Sequence, residues 1–369
     1  MIRVAINGYG RIGRIAHRVI LEKYLDKIDV VSINAGSSAD IKGWMYLLKY
    51  DTVYHTLSSK FKVSSSAKAS ADRQNSNVQS RDDYIGSILI NDKEIPVFSQ
   101  KEPSLLPWKD LNVDVVIEST GHFTTEEKLK AHISAGAKKV VLSAPVKEGD
   151  VPTYILSVNE KDYKGESLIN NASCTTNCIA PVAKIMVDNF GVEKAMMTTI
   201  HGFTSDQRLQ DGGHRDYRRA RSAGQNIVPT STGATIAASA AVPELKGIFN
   251  GLAIRVPVSV GSLSDFTFLL KKNTTVEEIN EIFRQEAKNP IYSNILEVTE
   301  DPIVSSDIIG NSHSAIVDLS LTQVVGGNLV KVIAWYDNEY GYANRLVEEV
   351  IMVGTRMHPN ENTPNKSEY

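Results

Sequence analysis

Both cysteines of this chain fall in one stretch, INNASCTTNCIAP, residues 169–181. Small polar residues precede Cys174 and an apolar helical pattern follows it, which places this thiol at a strand-to-helix junction. A helix N-terminus stabilises a thiolate, and the thiolate is the nucleophilic form of cysteine. Such a nucleophile also needs a base or ion-pair partner, most often histidine. His201 follows the apolar run AMMTTI and opens a loop region, so it has the type and setting of that partner. His17 and His132 lie in helical or charged settings, His122 and His214 in loops, and His358 in the C-terminal tail. Cys178 stands one helical turn after Cys174, and a CxxxC spacing is not a redox CxxC. It reads as a small buried helix residue. No second Cys/His pair has ligand spacing, so no metal is expected.

A second centre of chemistry lies at the N-terminus. IRVAI reads as a buried strand and RIGRIAHRVILEKYL as a helix, with Gly8-Tyr9-Gly10-Arg11-Ile12-Gly13 between them. This G-x-G-x-x-G follows a strand and opens a helix, as dinucleotide binding requires. The first glycine permits the tight turn and the second a close approach of backbone N–H groups to a pyrophosphate. The third permits close helix–strand packing. The usual acid for the adenosine ribose, expected at the end of the next strand, is missing: the chain reads Ile33-Asn34-Ala35-Gly36. Its absence removes both an attraction for NAD and a barrier to the 2′-phosphate of NADP. The other reading is a weaker NAD site in which Asn34 or a backbone amide takes over.

The elements that must hold these residues suggest two domains. IDVVSIN (28–34), VDVVIES (113–119) and KKVVLSAP (138–145) are short apolar strands, and KLKAHISAGA reads as a helix ending at Gly136. Strands alternating with helices predict a parallel, doubly wound α/β sheet of Rossmann type over about the first 170 residues. Residues 64–83 are polar and without period, and read as a mobile surface insertion. From about residue 190, longer runs such as GLAIRVPVSVGSLSDFTFLL predict an α+β domain with a mostly antiparallel sheet. The expected organisation is a nucleotide-binding domain over 1–173, completed by a C-terminal helix at about 340–357. A catalytic domain spans 174–339 and a frayed tail 358–369. A length of 369 residues suits about two cores. The net charge of −3 gives no field for nucleic acid. Two cysteines cannot form a disulfide framework and suit a reducing compartment. The N-terminus does not read as a signal peptide, nothing reaches membrane-spanning length, and a cytoplasmic location is expected.

Across nearly its whole length the chain resembles the phosphorylating glyceraldehyde-3-phosphate dehydrogenases. INGYGRIGR, LLKYDT, ESTGHF, NASCTTNC, HGFTSDQRLQDGGHRDYRRAR, IVPTSTGA, LAIRVPV and WYDNEYGYANR carry the resemblance and occur in the family's order. It implies oxidation of D-glyceraldehyde 3-phosphate, with inorganic phosphate, to 1,3-bisphosphoglycerate in glycolysis and gluconeogenesis. Cys174 would form a hemithioacetal and then a thioester, and His201 would activate the thiol and serve as base. By the same resemblance Thr204 and Arg255 serve the substrate phosphate. Ser173, Thr232, Gly233 and Arg219 serve the attacking phosphate, and Thr175 is counted with the phosphate-binding residues. On the cofactor side stand Gly8, Gly10, Arg11, Ile12, Gly13, Asn34, Ala35, Ser119 and Thr120, with Asn338 for the nicotinamide carboxamide and Tyr342 close by. The resemblance also implies a homotetramer in which the loop around 203–224 lies near a neighbouring subunit's cofactor.

The sequence departs from the pattern at the cofactor. Most NAD-specific members have Asn-Asp where this chain has Asn34-Ala35, and many have Leu-Pro where it has Gly212-Gly213. Lys101 offers a positive charge near the adenosine ribose. These departures predict use of both NAD and NADP, or a preference for NADP. The alternatives are an erythrose-4-phosphate dehydrogenase, against which Thr204 and TSDQR speak, and a non-catalytic nucleotide-binding protein on the same fold.

Overall fold

The structure is a computed structural model that describes residues 1–66, 76–91 and 93–357. The chain divides into two compact units. The first comprises residues 1–152, 163–171 and the chain from Leu346 on, and the second residues 153–162 and 172–345. Residues 153–162 thus fall with the second unit, not with the N-terminal portion. The expected frayed tail, 358–369, lies outside the described residues.

The first unit contains β1 (Ile2–Asn7), α1 (Arg11–Lys23), β2 (Ile28–Asn34), α2 (Ile41–Lys49), β3 (Tyr50–Asp51), β4 (His55–Thr56), β5 (Val63–Ser66) and α3 (Ser76–Gln79). It continues with β6 (Tyr84–Ile90), β7 (Lys93–Phe98), β8 (Val115–Glu118), α4 (Glu126–Ser134), β9 (Lys139–Leu142) and β10 (Leu168–Asn170). The main sheet has the order β10-β9-β8-β1-β2-β7-β6-β5. The strands from β10 to β7 run parallel, and β6 and β5 add antiparallel strands at one edge. β8 is buried throughout and β1 at every position but Arg3, as suits central strands covered on both faces. The chain moves outward from β1 to β2 on one side and continues through β8 on the other. The crevice of such a sheet opens there, beyond the strand C-termini.

The antiparallel strands β6 and β5 extend the expected parallel sheet at one edge. The stretch 64–83, read from the sequence as a mobile surface insertion, has regular structure at its described ends. Ser64, Ser65 and Ser66 pair with β6, because a ladder uses backbone groups and tolerates a polar edge strand. Val78 in α3 is buried in the core with Trp108 and Phe98. The middle of that stretch, residues 67–75, lies outside the described residues.

The glycine turn is built by close approach. Gly8 has φ +95°, and a Cβ there would stand 2.5 Å from the Thr120 amide nitrogen. A Cβ on Gly13 would stand 2.2 Å from the Gly8 carbonyl oxygen, whereas Gly10 faces open space. Gly8→Ala therefore combines a left-handed backbone with an overlap against Thr120, and we expect it to cost about 1–3 kcal/mol of stability. Urea denaturation checks this; an unchanged midpoint would mean that the Thr120 backbone has room to yield.

The second unit contains α5 (Cys174–Phe190), β11 (Val192–Gly202), β12 (Val228–Ser231), α6 (Ala234–Ala241), β13 (Phe249–Val256) and β14 (Ser262–Leu270). α7 (Val276–Glu286), β15 (Leu296–Thr299), β16 (Ala315–Asp318), β17 (Gln323–Val325) and β18 (Leu329–Tyr336) follow. α8 (Tyr340–Met357) begins here, and its residues from Leu346 on count with the first unit. The sheet order is β12-β13-β11-β14-β18-β16-β15, with β17 paired to β18, and most pairings are antiparallel. β14 alternates buried and half-buried positions, the period-2 pattern of a sheet with one face on a core. That core joins Cys178, Ile179, Val182 and Met186 of α5 to Phe266, Phe268 and Val332. No helix among the described residues is long and apolar enough to cross a membrane.

Candidate active site

Cys174 is the first residue of α5 and is partly buried. Ser173 caps the helix: its Oγ accepts from the Thr176 N–H at 3.1 Å. Ala172, just before the cap, is held at φ +46°, a left-handed conformation that non-glycine residues seldom adopt. The Tyr342 hydroxyl donates to the Ala172 carbonyl at 3.3 Å and steadies this turn. Tyr342 thus supports the backbone behind the cysteine.

His201 lies near the end of β11, and its Nε2 is 3.4 Å from the Cys174 Sγ. The imidazole is buried, with Tyr336 set edge-on at a ring-centre distance of 5.9 Å. The Tyr336 hydroxyl bonds to the hydroxyls of Thr175 (2.9 Å) and Thr199 (2.8 Å), which ties α5, β11 and β18 together beneath the pair. Sequence reasoning missed Tyr336 and Thr199. Nδ1 of His201 is 2.6 Å from the Gly202 carbonyl oxygen and 2.6 Å from Nη1 of Arg255. A guanidinium has no acceptor. Nδ1 therefore either donates to Gly202 or accepts from Arg255, and only the first choice leaves Nε2 bare to take the thiol proton.

Burial, reinforced by the positive charge of Arg255, lowers the His201 pKa to about 3. Burial also pushes the Cys174 thiol up, against the Arg255 charge and hydrogen bonds from Thr175. The helix N-terminus does act on the thiol in the direction read from the sequence, but burial outweighs it. Geometry therefore supplies what the shifts do not: the imidazole Nε2 is the group in contact with the thiol. Burial drives the Cys178 thiol far above its ordinary range, and it donates weakly to the Ser264 hydroxyl at 3.9 Å, which fits a core residue.

The residues expected at the anion sites stand on three loops and strand ends of this unit. Arg255 also donates to the Gly202 carbonyl at 3.1 Å and turns toward His201. Arg219 donates to the Thr230 hydroxyl (3.0 Å) and the Ser231 carbonyl (3.2 Å) and is ion-paired to Asp206. Thr232 accepts from the Ala234 N–H at 3.2 Å, and Gly233 begins α6 without a side-chain cap and faces open space. The Thr204 N–H donates to Gln207. Asn338 accepts through Oδ1 from the Gly261 N–H (3.1 Å) and the Ser262 hydroxyl (2.8 Å). This fixes the carboxamide so that Nδ2 is the group it presents to a ligand.

In the first unit, α1 starts at Gly10 without a side-chain cap, the form of helix N-terminus that can receive an anion. The open space at Gly10 suits a pyrophosphate, and the residues present fit a dinucleotide. The Arg11 side chain turns away, pairing with Asp51 at 2.8 Å, so only its backbone belongs to the cradle. Ser119 donates to the Gly8 carbonyl at 2.8 Å and shapes the turn. The Thr120 N–H and hydroxyl both donate to Glu118 Oε1, at 2.8 and 2.5 Å. Lys101 is exposed.

Asn34 is buried, donates to Asn7 Oδ1 (2.7 Å) and the Gln100 carbonyl (2.9 Å), and accepts from the Gln100 N–H (3.0 Å). The Ala35 N–H donates to the Phe98 carbonyl at 2.8 Å. The Asn34 carboxamide and the Ala35 N–H are thus both engaged inside the fold.

Residues 2–126 match the profile of the glyceraldehyde 3-phosphate dehydrogenase NAD binding domain, and residues 173–338 that of the C-terminal domain of the same family. The chain is 44% identical over 358 residues to glyceraldehyde-3-phosphate dehydrogenase 2 of Streptomyces avermitilis, covering 96% of this chain and 99% of the relative. It is 45% identical over 359 residues to the glyceraldehyde-3-phosphate dehydrogenase of Mycolicibacterium smegmatis, covering 96% and 98%. With glyceraldehyde-3-phosphate dehydrogenase 2 of Synechocystis it shares 46% identity over 350 residues, covering 94% and 97%.

Proposed function

We propose how the residues divide the work in this chain, which belongs to the glyceraldehyde-3-phosphate dehydrogenase family and oxidises D-glyceraldehyde 3-phosphate with NAD(P) and inorganic phosphate to 1,3-bisphosphoglycerate. The observation that carries the assignment of roles is the 3.4 Å contact of Cys174 with His201 at the start of α5. His201 Nε2 takes the thiol proton as sulfur attacks the aldehyde carbon, and a hemithioacetal forms on Cys174. Gly202 holds the imidazole as the Nδ1–H form while this happens. Nε2 passes that proton to the former aldehyde oxygen, which completes the hemithioacetal hydroxyl, and the same nitrogen then takes the hydroxyl proton back as hydride leaves and the thioester forms. Bound nicotinamide supplies the hydride acceptor. Phosphate attacks the thioester carbon and sulfur leaves as thiolate.

Arg255 and Thr204 bind the substrate phosphate, for which Arg255 turns from His201 and gives up its contact with Nδ1. Arg219, Ser173, Thr175, Thr232 and Gly233 serve the attacking phosphate through guanidinium, hydroxyl and N–H donors. The first unit holds the cofactor and the second carries the chemistry. Asn338 would hold the nicotinamide carboxamide through Nδ2, and Tyr342 keeps the Cys174 turn in place.

No acid faces the adenosine ribose from position 35, and Asn34 is consumed, so the site accepts NADP as well as NAD. Lys101 and the small Gly212-Gly213 pair support this reading. Ala35→Asp should restore charged hydrogen bonds to the ribose diol and repel a 2′-phosphate. We expect the NADP/NAD ratio of kcat/KM to fall by about 10- to 100-fold. Steady-state rates with both cofactors check this, and an unchanged ratio would place the ribose elsewhere. The chain assembles as a homotetramer in the cytoplasm. The exposed Met196, Leu209, Tyr217, Ile227 and Ile236 support self-association. Light scattering after size-exclusion chromatography checks it, a mass of four chains being the expected result.

Initial rates of cofactor reduction with glyceraldehyde 3-phosphate, with and without inorganic phosphate, test the whole assignment. Phosphate-dependent turnover with both NAD and NADP is expected. Turnover with NAD alone would remove the cofactor reading and keep the chemistry.

A further inference from the structure

Beneath the nucleotide crevice lies a buried polar chain with no part in the chemistry at Cys174. Asn7 ends β1 and pairs in register with Glu118 at the end of β8, the two strands between which the chain reverses direction across the sheet. Glu118, Asn7, His132 and Trp108 are all fully buried. The donors in this chain have assignable directions, and the 3.5 Å approach of Asn7 Nδ2 to His132 Nε2 is then a contact between two donors that share Glu118 Oε2. The indole of Trp108 is a donor only, so its Nε1–H, 3.0 Å from His132 Nδ1, must find a bare nitrogen there. The His132 proton therefore sits on Nε2, which donates to Glu118 Oε2 at 3.1 Å.

The other side is equally determined. The Gln100 N–H donates to Asn34 Oδ1, which orients the Asn34 amide so that Nδ2 donates to Asn7 Oδ1. This orients Asn7 in turn, and its Nδ2 donates to Glu118 Oε2 at 2.5 Å. The His122 N–H donates to the Thr120 hydroxyl, whose own proton goes to Glu118 Oε1, where the Thr120 N–H also ends. All these bonds converge on one carboxylate, each Glu118 oxygen taking two donors. A buried carboxylate is tolerated only when its lone pairs are filled in this way.

We infer that Trp108, His132 and Glu118 form a positioning relay for the nucleotide crevice, with His132 locked as the neutral Nε2–H form. The relay ties together the ends of β1, β2 and β8 and the residue after Ser99, which form the rim on which a dinucleotide lies. It holds Thr120 against Gly8, whose turn presents the α1 N-terminus. It also consumes Asn34, and so is the reason that no side chain at the end of β2 turns to the ribose. The inference rests on the dinucleotide reading of this crevice.

Two measurements test it on the intact protein. The first is cofactor affinity, read directly by NADH and NADPH titration and separately as KM against kcat. Glu118→Gln places an NH2 where an oxygen now accepts two donors. It should weaken binding by about tenfold or more, with kcat at saturating cofactor within about twofold of wild type. His132→Leu should weaken binding similarly, whereas His132→Gln, which keeps a donor toward Glu118, should recover most of it. Variants that all bind like wild type, or a His132→Gln as impaired as His132→Leu, would overturn the relay. The second is the ring-nitrogen NMR spectrum of ¹⁵N-histidine-labelled protein, which needs no cofactor. The resonances lost in His132→Gln should report an Nε2–H ring, and in Trp108→Phe they should shift toward a mixture of tautomers. An Nδ1–H or doubly protonated ring in the wild type would overturn the proposal even if Glu118→Gln fails to fold. Wild-type protein that binds neither NADH nor NADPH would remove the dinucleotide reading and the relay's role with it, whatever the tautomer.

Discussion

Cys174→Ala will lower kcat by about 10⁴-fold or more while leaving the cofactor Kd unchanged. The sulfur is the atom to which substrate becomes bonded, and no other group can take its place. Cys178 is buried beside Ser264, and burial keeps its thiol protonated. The cofactor elements of the first unit are untouched by the substitution, so binding and chemistry should separate cleanly. A matching Cys178→Ala variant should keep full turnover and lose only packing stability. Steady-state kinetics together with NADH titration checks the pair. Residual turnover above about 1% of wild type in Cys174→Ala would place the nucleophile elsewhere.

His201→Asn should cost about 10²–10⁴-fold in kcat, the range of a lost general base. It makes a second prediction, on the thiol alone. Burial raises the Cys174 pKa, and the imidazole at 3.4 Å is the group that can take its proton. Without that acceptor the thiolate forms only as pH rises past the elevated thiol pKa. The rate of alkylation by iodoacetamide at neutral pH should therefore fall in His201→Asn, and its pH profile should move to higher pH. A profile that does not move would mean that Arg255 and the helix N-terminus alone ionise the thiol.

The parts of this site that sequence patterns could reveal are those in which one backbone feature dictates the residue. Gly8 and Gly13 had to be glycine because a Cβ would strike Thr120 and the Gly8 carbonyl, and this requirement survives in the text as G-x-G-x-x-G. Cys174 was legible because small polar residues and an apolar helix flank it. Short apolar runs alternating with helical patterns marked the parallel sheet, and the longer strand-like runs after residue 190 marked the mostly antiparallel one. What was not legible depends on register between distant strands. Asn7 and Glu118 lie 111 residues apart and meet because β1 and β8 pair with these residues opposite each other. Tyr336 reaches Thr175 and Thr199 over separations of 161 and 137 residues. Side-chain direction was equally hidden: Arg11 sits in the glycine motif yet pairs with Asp51, and Asn34 stands at the ribose position yet points inward. The serines at 64–66 misled because they form strand through backbone pairing alone.

The central claim is that the aldehyde is oxidised while bonded to Cys174. It is tested most directly by mixing enzyme, NAD and glyceraldehyde 3-phosphate without inorganic phosphate, quenching in acid within the first turnover, and locating the acyl group by peptide mass. A burst of about one reduced cofactor per chain is expected, because the thioester accumulates when nothing attacks it. One 3-phosphoglyceroyl adduct is expected on the peptide at Cys174, absent from Cys178, and it should disappear when phosphate is added. A burst with no adduct on Cys174, or steady turnover at full rate without phosphate, would contradict it.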